Sequence, residues 1–243
     1  MCVIIVMEDK VPSLDIFKKC EKANKDGGGI SWVKDNKVHF KKGIDAVEMH
    51  GIAESVGGNC IAHFRISTIG GTPKELCHPF IVSRKSEILL EGVTDKVLFH
   101  NGIWNKWDEY AMSLVINNNL VFPTGQWSDS RAMAWIAGNS NQSFLKLLYG
   151  QRVAVQTAKN IYLYGSWDEQ DGVKYSNLNW DKHYYDYGWR NAGYQHQTET
   201  QPELPSCGGG ETKVGNPPPE KEINSMTDEE YVAYMASQNF TQY

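Results

Sequence analysis

Cys2 stands directly after Met1. A small second residue permits removal of the initiator methionine, which would leave Cys2 with a free α-amino group. Such an amine titrates near pH 7.7–8.0, so a fraction is free base at neutral pH and can take the thiol proton, directly or through one water. One residue would then carry both nucleophile and general base, with no histidine required. The competing reading is an apolar residue at the start of a buried first strand. Arg65, in Ala62-His63-Phe64-Arg65-Ile66-Ser67-Thr68, sits where an apolar strand runs into a loop with Gly70-Gly71. There it is suited either to a surface ion pair or to holding a substrate carboxylate through two parallel N–H bonds.

Two further segments carry polar groups at strand and helix ends. In Phe99-His100-Asn101-Gly102-Ile103 the Asn side-chain amide and the Gly N–H can converge on one developing oxyanion. Asn-Gly is equally a hairpin turn, although Ile103-Trp104-Asn105 is not an alternating second strand. In Ser128-Asp129-Ser130, ahead of an apolar helix, Asp129 either caps that helix or offers its carboxylate to a substrate ammonium group.

The elements that must position these groups read mostly as strands. Cys2 to Met7 is β-branched and apolar, and Cys60 to Arg65 reads as a buried strand. Ile30–Val33 and Lys37–Lys41 form a hairpin around Asp35-Asn36, after a glycine turn at Asp26-Gly27-Gly28-Gly29. Helices are expected over Leu14–Asn24, Ile44–Ser55, Asp129–Ala137 and Ser143–Leu148. Further strands are expected over Ser86–Glu91, Lys96–His100, Arg152–Ala158, Asn160–Tyr164 and Gly172–Leu178. Helices set between two groups of strands indicate α+β layering rather than alternating βαβ units.

Composition changes near residue 195, which divides a domain at 1–195 from a tail at 196–243. From His196 to Tyr243 acidic residues outnumber basic ones eight to two, around Gly208-Gly209-Gly210 and Pro217-Pro218-Pro219. The stretch reads as a flexible acidic linker. It ends in a short amphipathic segment, 227–238, that Thr227 and Glu230 would open as a capping box. The aromatic cluster from Trp180 to Trp189 is either a partner surface or packing at the sheet edge.

The 243 residues, 41% hydrophobic and 22% charged, fit a globular chain. A formal charge of −5 gives no reason to expect nucleic acid as a partner. No apolar run approaches the roughly 18–20 residues of a membrane helix, so no membrane partner is expected. The start, where six apolar residues meet Glu8 and Asp9, is not a secretory signal. These features predict a cytoplasmic protein. The five cysteines, with no Cys-x-x-Cys, predict reduced thiols. Cys60, His63, Cys77 and His78 approach a zinc spacing, but residues 60 and 63 of one strand face opposite ways, so no metal is expected.

Taken together, the N-terminal Cys, His-x-Arg-x-x-Thr, Cys77-His78-Pro79, His100-Asn101-Gly102 and Ser128-Asp129-Ser130 occur in the order and spacing of class II glutamine amidotransferase domains. The chain resembles that family over about residues 2–180, in the small stand-alone form of some bacterial and phage proteins. The resemblance implies the four-layer αββα sandwich of N-terminal nucleophile hydrolases. It implies Cys2 as the nucleophile on the glutamine side-chain amide, Arg65 on the α-carboxylate, Asp129 on the α-ammonium and Asn101 with Gly102 on the oxyanion. Thr68 and His78 match pocket-lining positions. Two positions depart: the family's usual His after the Thr is Ile69, and the Trp frequent after the Arg is Ile66. Both touch the wall that closes over glutamine. No cofactor is implied. Since nothing beyond Leu178 looks like a synthase, an ammonia-accepting enzyme on a separate chain is expected. The same grip would suit a γ-glutamyl amide or peptide hydrolase, and with Met1 retained the scaffold would be a non-catalytic binding protein.

Overall fold

A computed structural model describes residues 2–66 and 73–181. In chain order these hold β1 (Val3–Met7), α1 (Leu14–Ala23), β2 (Gly28–Lys34), β3 (Lys37–Lys42), α2 (Ala46–Val56) and β4 (Cys60–Phe64). After a short 3-10 turn come β5 (Phe80–Ile81), β6 (Glu91–Thr94), β7 (Lys96–Asn101), α3 (Trp107–Asn118) and α4 (Asp129–Asn139). A second 3-10 segment, Gln142–Leu147, leads to β8 (Arg152–Thr157), β9 (Ile161–Tyr164), β10 (Asp168–Gln170) and β11 (Val173–Tyr175).

The strands make two sheets, ordered β10-β11-β1-β4-β2-β3-β6 and β5-β7-β8-β9, with antiparallel pairing throughout. Strand alternation turns this topology into four layers. Val3, Ile5 and Met7 of β1, with Cys60, Ala62 and Phe64 of β4, pack on Phe17 and Cys20 of α1 and on Met49 and Ala53 of α2. The alternate residues Ile4, Val6 and Ile61 meet Val97, Phe99 and Ala154 of the second sheet. The outer face of that sheet, with Leu98, Val153 and Val155, takes Met133, Ala134 and Trp135 of α4. The result is helix–sheet–sheet–helix, the expected αββα sandwich. Each fully buried Ile, Val or Phe in these layers contributes about 1.5–3 kcal/mol. A polar tie crosses the apolar space between the sheets. The Ser31 hydroxyl of β2 bonds the Gln156 side chain of β8, whose amide donates to the Asn59 carbonyl at 2.7 Å.

Local signals set the element ends. Asp45 caps α2 by accepting from the Glu48 N–H at 2.8 Å, and Gly57, at φ 73°, closes it. The glycine turn and the β2–β3 hairpin stand where the sequence puts them, with Asp35 and Asn36 at φ 51° and 55°. Several expectations shift. The strand anticipated over Ser86–Glu91 forms only at Glu91–Thr94, because Ser83–Leu90 turns inward to let Ser86 serve a buried arginine. The helix expected over Ser143–Leu148 is the 3-10 segment, and Gly172–Leu178 is a strand only at Val173–Tyr175. The helix α3 has no counterpart in the sequence reading, because exposed Tyr110 and Ile116 blur the stripe of Trp107, Ala111, Leu114 and Val115 that packs on the core.

Among the described residues no helix is long and apolar enough to cross a membrane. Cys2, Cys20, Cys60 and Cys77 are free thiols. Trp180 is buried against Tyr175, ring centroids 5.3 Å apart, so that end of the aromatic cluster is core packing. The remainder of the cluster, the boundary at 195, the tail at 196–243 and its segment 227–238 lie outside the described residues.

Candidate active site

The site gathers where β1, β4 and β7 end together. Cys2 pairs across the β1–β4 ladder toward Arg65, one step beyond Val3 and Phe64, so both side chains share the face toward the second sheet with Ile4 and His63. The Cys2 thiol donates to the Ile66 carbonyl at 3.5 Å, and the Ile66 N–H points at Sγ from 3.4 Å. Burial pushes the thiol pKa up, opposed by that N–H and by the Arg65 charge. At rest the sulfur is therefore a thiol, and it needs a base to become a nucleophile.

The backbone carbonyl of Cys2 is held by two side-chain amides. Its carbonyl accepts from the Asn101 amide at 2.6 Å and from the Asn177 amide at 2.7 Å. The second Asn101 amide proton goes to the Ser176 hydroxyl at 2.8 Å, and that hydroxyl also accepts the Ile4 N–H at 2.9 Å. Both protons of the expected oxyanion donor are thus engaged in fixing the nucleophile's own strand. Ser176 and Asn177 follow β11 and carry no motif, so only the pairing of β11 with β1 brings them here.

Gly102, at φ 153°, leaves β7 directly after Asn101. A Cβ there would fall 1.9 Å from Gln151 Oε1 and 3.0 Å from His100 Nε2, so only glycine fits. His100 is buried between two partners, with Nδ1 2.9 Å from the Ser130 hydroxyl and Nε2 2.8 Å from Gln151 Oε1. Asp129 is the first residue of α4 and not its cap: Ser128 takes that role, accepting from the Arg131 N–H at 3.2 Å. The Asp129 carboxylate accepts the Ser130 N–H at 2.7 Å and the Trp104 N–H at 3.1 Å, and lies 3.8 Å from His100 Nδ1. A quarter of the side chain remains exposed, at the rim of the cluster.

Arg65 enters from the other side. Its backbone is pinned to the glycine turn, N–H to the Gly27 carbonyl at 2.8 Å and carbonyl to the Asp26 N–H at 2.9 Å. Its Nη1 is buried and finds no hydrogen-bond partner among the described residues. The glycines make room for what lies over them: a Cβ on Gly27 would meet Cys77 Sγ at 2.6 Å, and one on Gly29 the His78 carbonyl at 2.1 Å. His78 therefore lies against His63, ring centroids 4.1 Å apart and planes tilted by 44°, and all four ring nitrogens lack partners among the described residues. Burial, with the Arg65 charge beside it, lowers the His63 pKa to about 3, and burial holds His78 well below the usual imidazole range. Both rings are neutral at working pH. Burial also lowers Lys42 to about 8 and raises Cys77, the latter opposed by Arg65 and Lys42.

The structure thus brings Cys2, Arg65, His78, Asn101, Gly102 and Asp129 to one end of the sandwich. Thr68 and Ile69 fall in 67–72, outside the described residues. His63, Gln151, Ser176 and Asn177 are the additions. Only His63 had a sequence signal, as the first residue of the arginine block. Among the described residues no group of three or more His, Cys, Asp or Glu side chains could hold a metal ion, and Cys60 packs on the helix face of β4 while His63 lies against His78.

No family model matches the chain, and no curated protein matches it. Among solved structures it is similar to the glutamine phosphoribosylpyrophosphate (PRPP) amidotransferase from B. subtilis complexed with ADP and GMP, at 18% identity and TM-score 0.49. It is also similar to a structure described as the allosteric regulatory enzyme of purine biosynthesis, at 18% identity and TM-score 0.50. Each match covers 72% of this chain and 40% of the other, so the chain spans about two fifths of the length of the solved chains it matches. At that identity the likeness concerns architecture alone: this chain has the sandwich fold of class II glutamine amidotransferase domains and other N-terminal nucleophile hydrolases.

Proposed function

We propose that the protein hydrolyses the side-chain amide of glutamine, with Cys2 as nucleophile, and delivers the ammonia to an acceptor enzyme. The observation that carries this reading is Arg65 Nη1, buried without a partner among the described residues and close enough for its charge to act on the Cys2 thiol. A buried guanidinium N–H left unpaired costs free energy, and a carboxylate is its natural complement. Asp129, partly exposed beyond the Asn101–Gly102 turn, supplies the opposite charge for the α-ammonium of the same amino acid. Held by both groups at its α-carbon end, glutamine presents its amide carbon to the sulfur.

The chemistry follows from the groups present. With Met1 removed, the α-amine of Cys2 takes the thiol proton as Sγ bonds to the amide carbon, and the carbonyl π electrons move onto oxygen. The Gly102 N–H and the Asn101 amide stabilise that oxyanion. For this Asn101 turns one proton away from the Cys2 carbonyl, which keeps the Asn177 donor at 2.7 Å. Collapse of the intermediate breaks the C–N bond, and the leaving nitrogen receives the proton stored on the α-amine. Water, deprotonated by the same amine, then cleaves the thioester to glutamate. His63 and His78, neutral and in contact, line the pocket and carry no proton in this cycle. Reduced thiols, as in a cytoplasmic setting, suit such a nucleophile.

The test is steady-state glutamate release by protein shown by mass to begin at Cys2. Glutamine turnover that exceeds turnover of γ-glutamyl peptides is expected. Preference for the peptides would instead make the protein a γ-glutamyl hydrolase, and no turnover of either would leave a binding scaffold. The acceptor chain is sought as a co-purifying enzyme that uses glutamine nitrogen only while Cys2 is intact.

A further inference from the structure

We infer that Gln151 is a positioning residue, which fixes the protonation of His100 and the Asn101–Gly102 turn for the amide hydrolysis proposed at Cys2. The inference rests on that reading for its catalytic consequence and on geometry for its structural content. Gln151 lies just ahead of β8, outside every motif of the sequence. Its amide nitrogen donates to the Ile103 carbonyl at 3.0 Å, and its Oε1 lies 2.8 Å from His100 Nε2.

These two contacts settle a proton. Flipping the Gln151 amide would set its oxygen against the Ile103 carbonyl, acceptor against acceptor. Oε1 must therefore face His100, and His100 Nε2 must carry the hydrogen. With the ring singly protonated, Nδ1 is then an acceptor, and the Ser130 hydroxyl, 2.9 Å from it, donates there in preference to Asp129 Oδ1 at 3.3 Å. Ser130 N–H in turn donates to Asp129 Oδ1 at 2.7 Å, while Asp129 Oδ2 accepts the Trp104 N–H at 3.1 Å. The segment from His100 to Trp104 is thereby clamped at three points, by Ser130, Gln151 and Asp129. Within it stands Gly102, whose missing Cβ is the space Gln151 Oε1 occupies. A single side chain thus sets the tautomer of one neighbour and the path of the backbone that offers the oxyanion its N–H. Misplacing such a donor by about 1 Å costs roughly 10²-fold in rate.

The experiment compares wild type, Q151M and Q151E in the full chain by glutamine kinetics, melting temperature and ring-nitrogen NMR of His100. Q151M keeps the shape and loses both bonds. It is expected to lose roughly 10²-fold in kcat with little change in KM, since Arg65 and Asp129 still grip the substrate. Its His100 signal should move from the Nε2–H tautomer to a mixture. Q151E keeps an acceptor for His100 and places a second oxygen against Ile103, so it should hold the tautomer and still lose kcat. Should Q151M melt too early to assay, Q151E carries the kinetic test. Wild-type kcat in either folded variant, or an Nδ1–H tautomer in the wild type, overturns the inference. If the Cys2 enzyme releases no glutamate from glutamine, the amide-hydrolysis reading fails. The tautomer data then judge Gln151 alone: Nε2–H in wild type and its loss in Q151M sustain the clamp, and an unchanged signal in Q151M overturns it.

Discussion

Arg131 and Arg65 both place guanidinium nitrogens in the interior, and the two are treated in opposite ways. Arg131, on α4, is saturated. Its Nε and Nη2 donate to the Ser86 carbonyl at 3.2 and 2.9 Å, Nη2 also to the Thr124 carbonyl and Nη1 to the Gln126 carbonyl at 2.8 Å, and its plane lies over Trp127 at 4.5 Å. Arg65, at the mouth of β4, has a buried Nη1 without a partner among the described residues, beside two contacting histidines in the same condition. A satisfied buried cation ties loops together. An unsatisfied one is tolerated only where something else is gained, and beside a thiol that something is a bound anionic group.

The widest gap between the two regions is catalytic. Cys2→Ser should lower glutamate release by at least about 10³-fold with the melting temperature near wild type, since among the described residues the sulfur hydrogen-bonds the Ile66 backbone alone. Retained turnover in this variant would move the nucleophile elsewhere. Next in size, Arg65→Met should cost roughly 10²–10³-fold in kcat/KM, mostly through KM, and change stability little, because Nη1 has no partner to lose among the described residues. Arg131→Met should show the reverse pattern. Carbonyls at Ser86, Thr124 and Gln126 would each lose a donor, at about 1–3 kcal/mol apiece, so unfolding free energy should fall by roughly 3 kcal/mol or more while KM for glutamine holds. If Arg131→Met weakened glutamine binding while Arg65→Met weakened only the fold, the comparison would be inverted.

A smaller effect concerns pH. The folded-state pKa of His63 is depressed to about 3, so the unfolded chain binds a proton there that the folded chain refuses. Stability is full above the ordinary imidazole pKa and is lost on acidification from about pH 6.5 toward 3. The slope is about 1.4 kcal/mol per pH unit for each such proton. His63→Leu should remove one proton's share of that slope in melting curves taken between pH 7 and 4, leaving the His78 share. An unchanged slope would mean that the pair is protonated in the folded state.

Much of this was legible before any coordinates. The runs from Val3 to Met7 and from Cys60 to Phe64 are apolar but for His63, the pattern of strands buried on both faces, so the central layers could be read directly. Gly27–Gly29 announced close backbone approach, and the reason proved to be Cys77-His78 lying over the sheet. Other features had no local signal. Gln151, Ser176 and Asn177 are single polar residues whose roles come from partners 48 to 175 positions away. The stripe of α3, Trp107, Ala111, Leu114 and Val115, is masked in the sequence by the exposed apolar Tyr110 and Ile116. Asp129 and Ser128 are adjacent cap-forming residues, and only backbone geometry assigns the cap to the serine.

The most direct test of the account is the intact mass of the protein, with peptide mapping, after exposure to a glutamine analogue bearing an electrophilic diazoketone. The account predicts a chain beginning at Cys2 and a single adduct on that residue, suppressed by excess glutamine and strongly reduced in Arg65→Met. A folded protein that begins at Cys2 and takes no adduct there, or takes one that glutamine does not suppress, would contradict it.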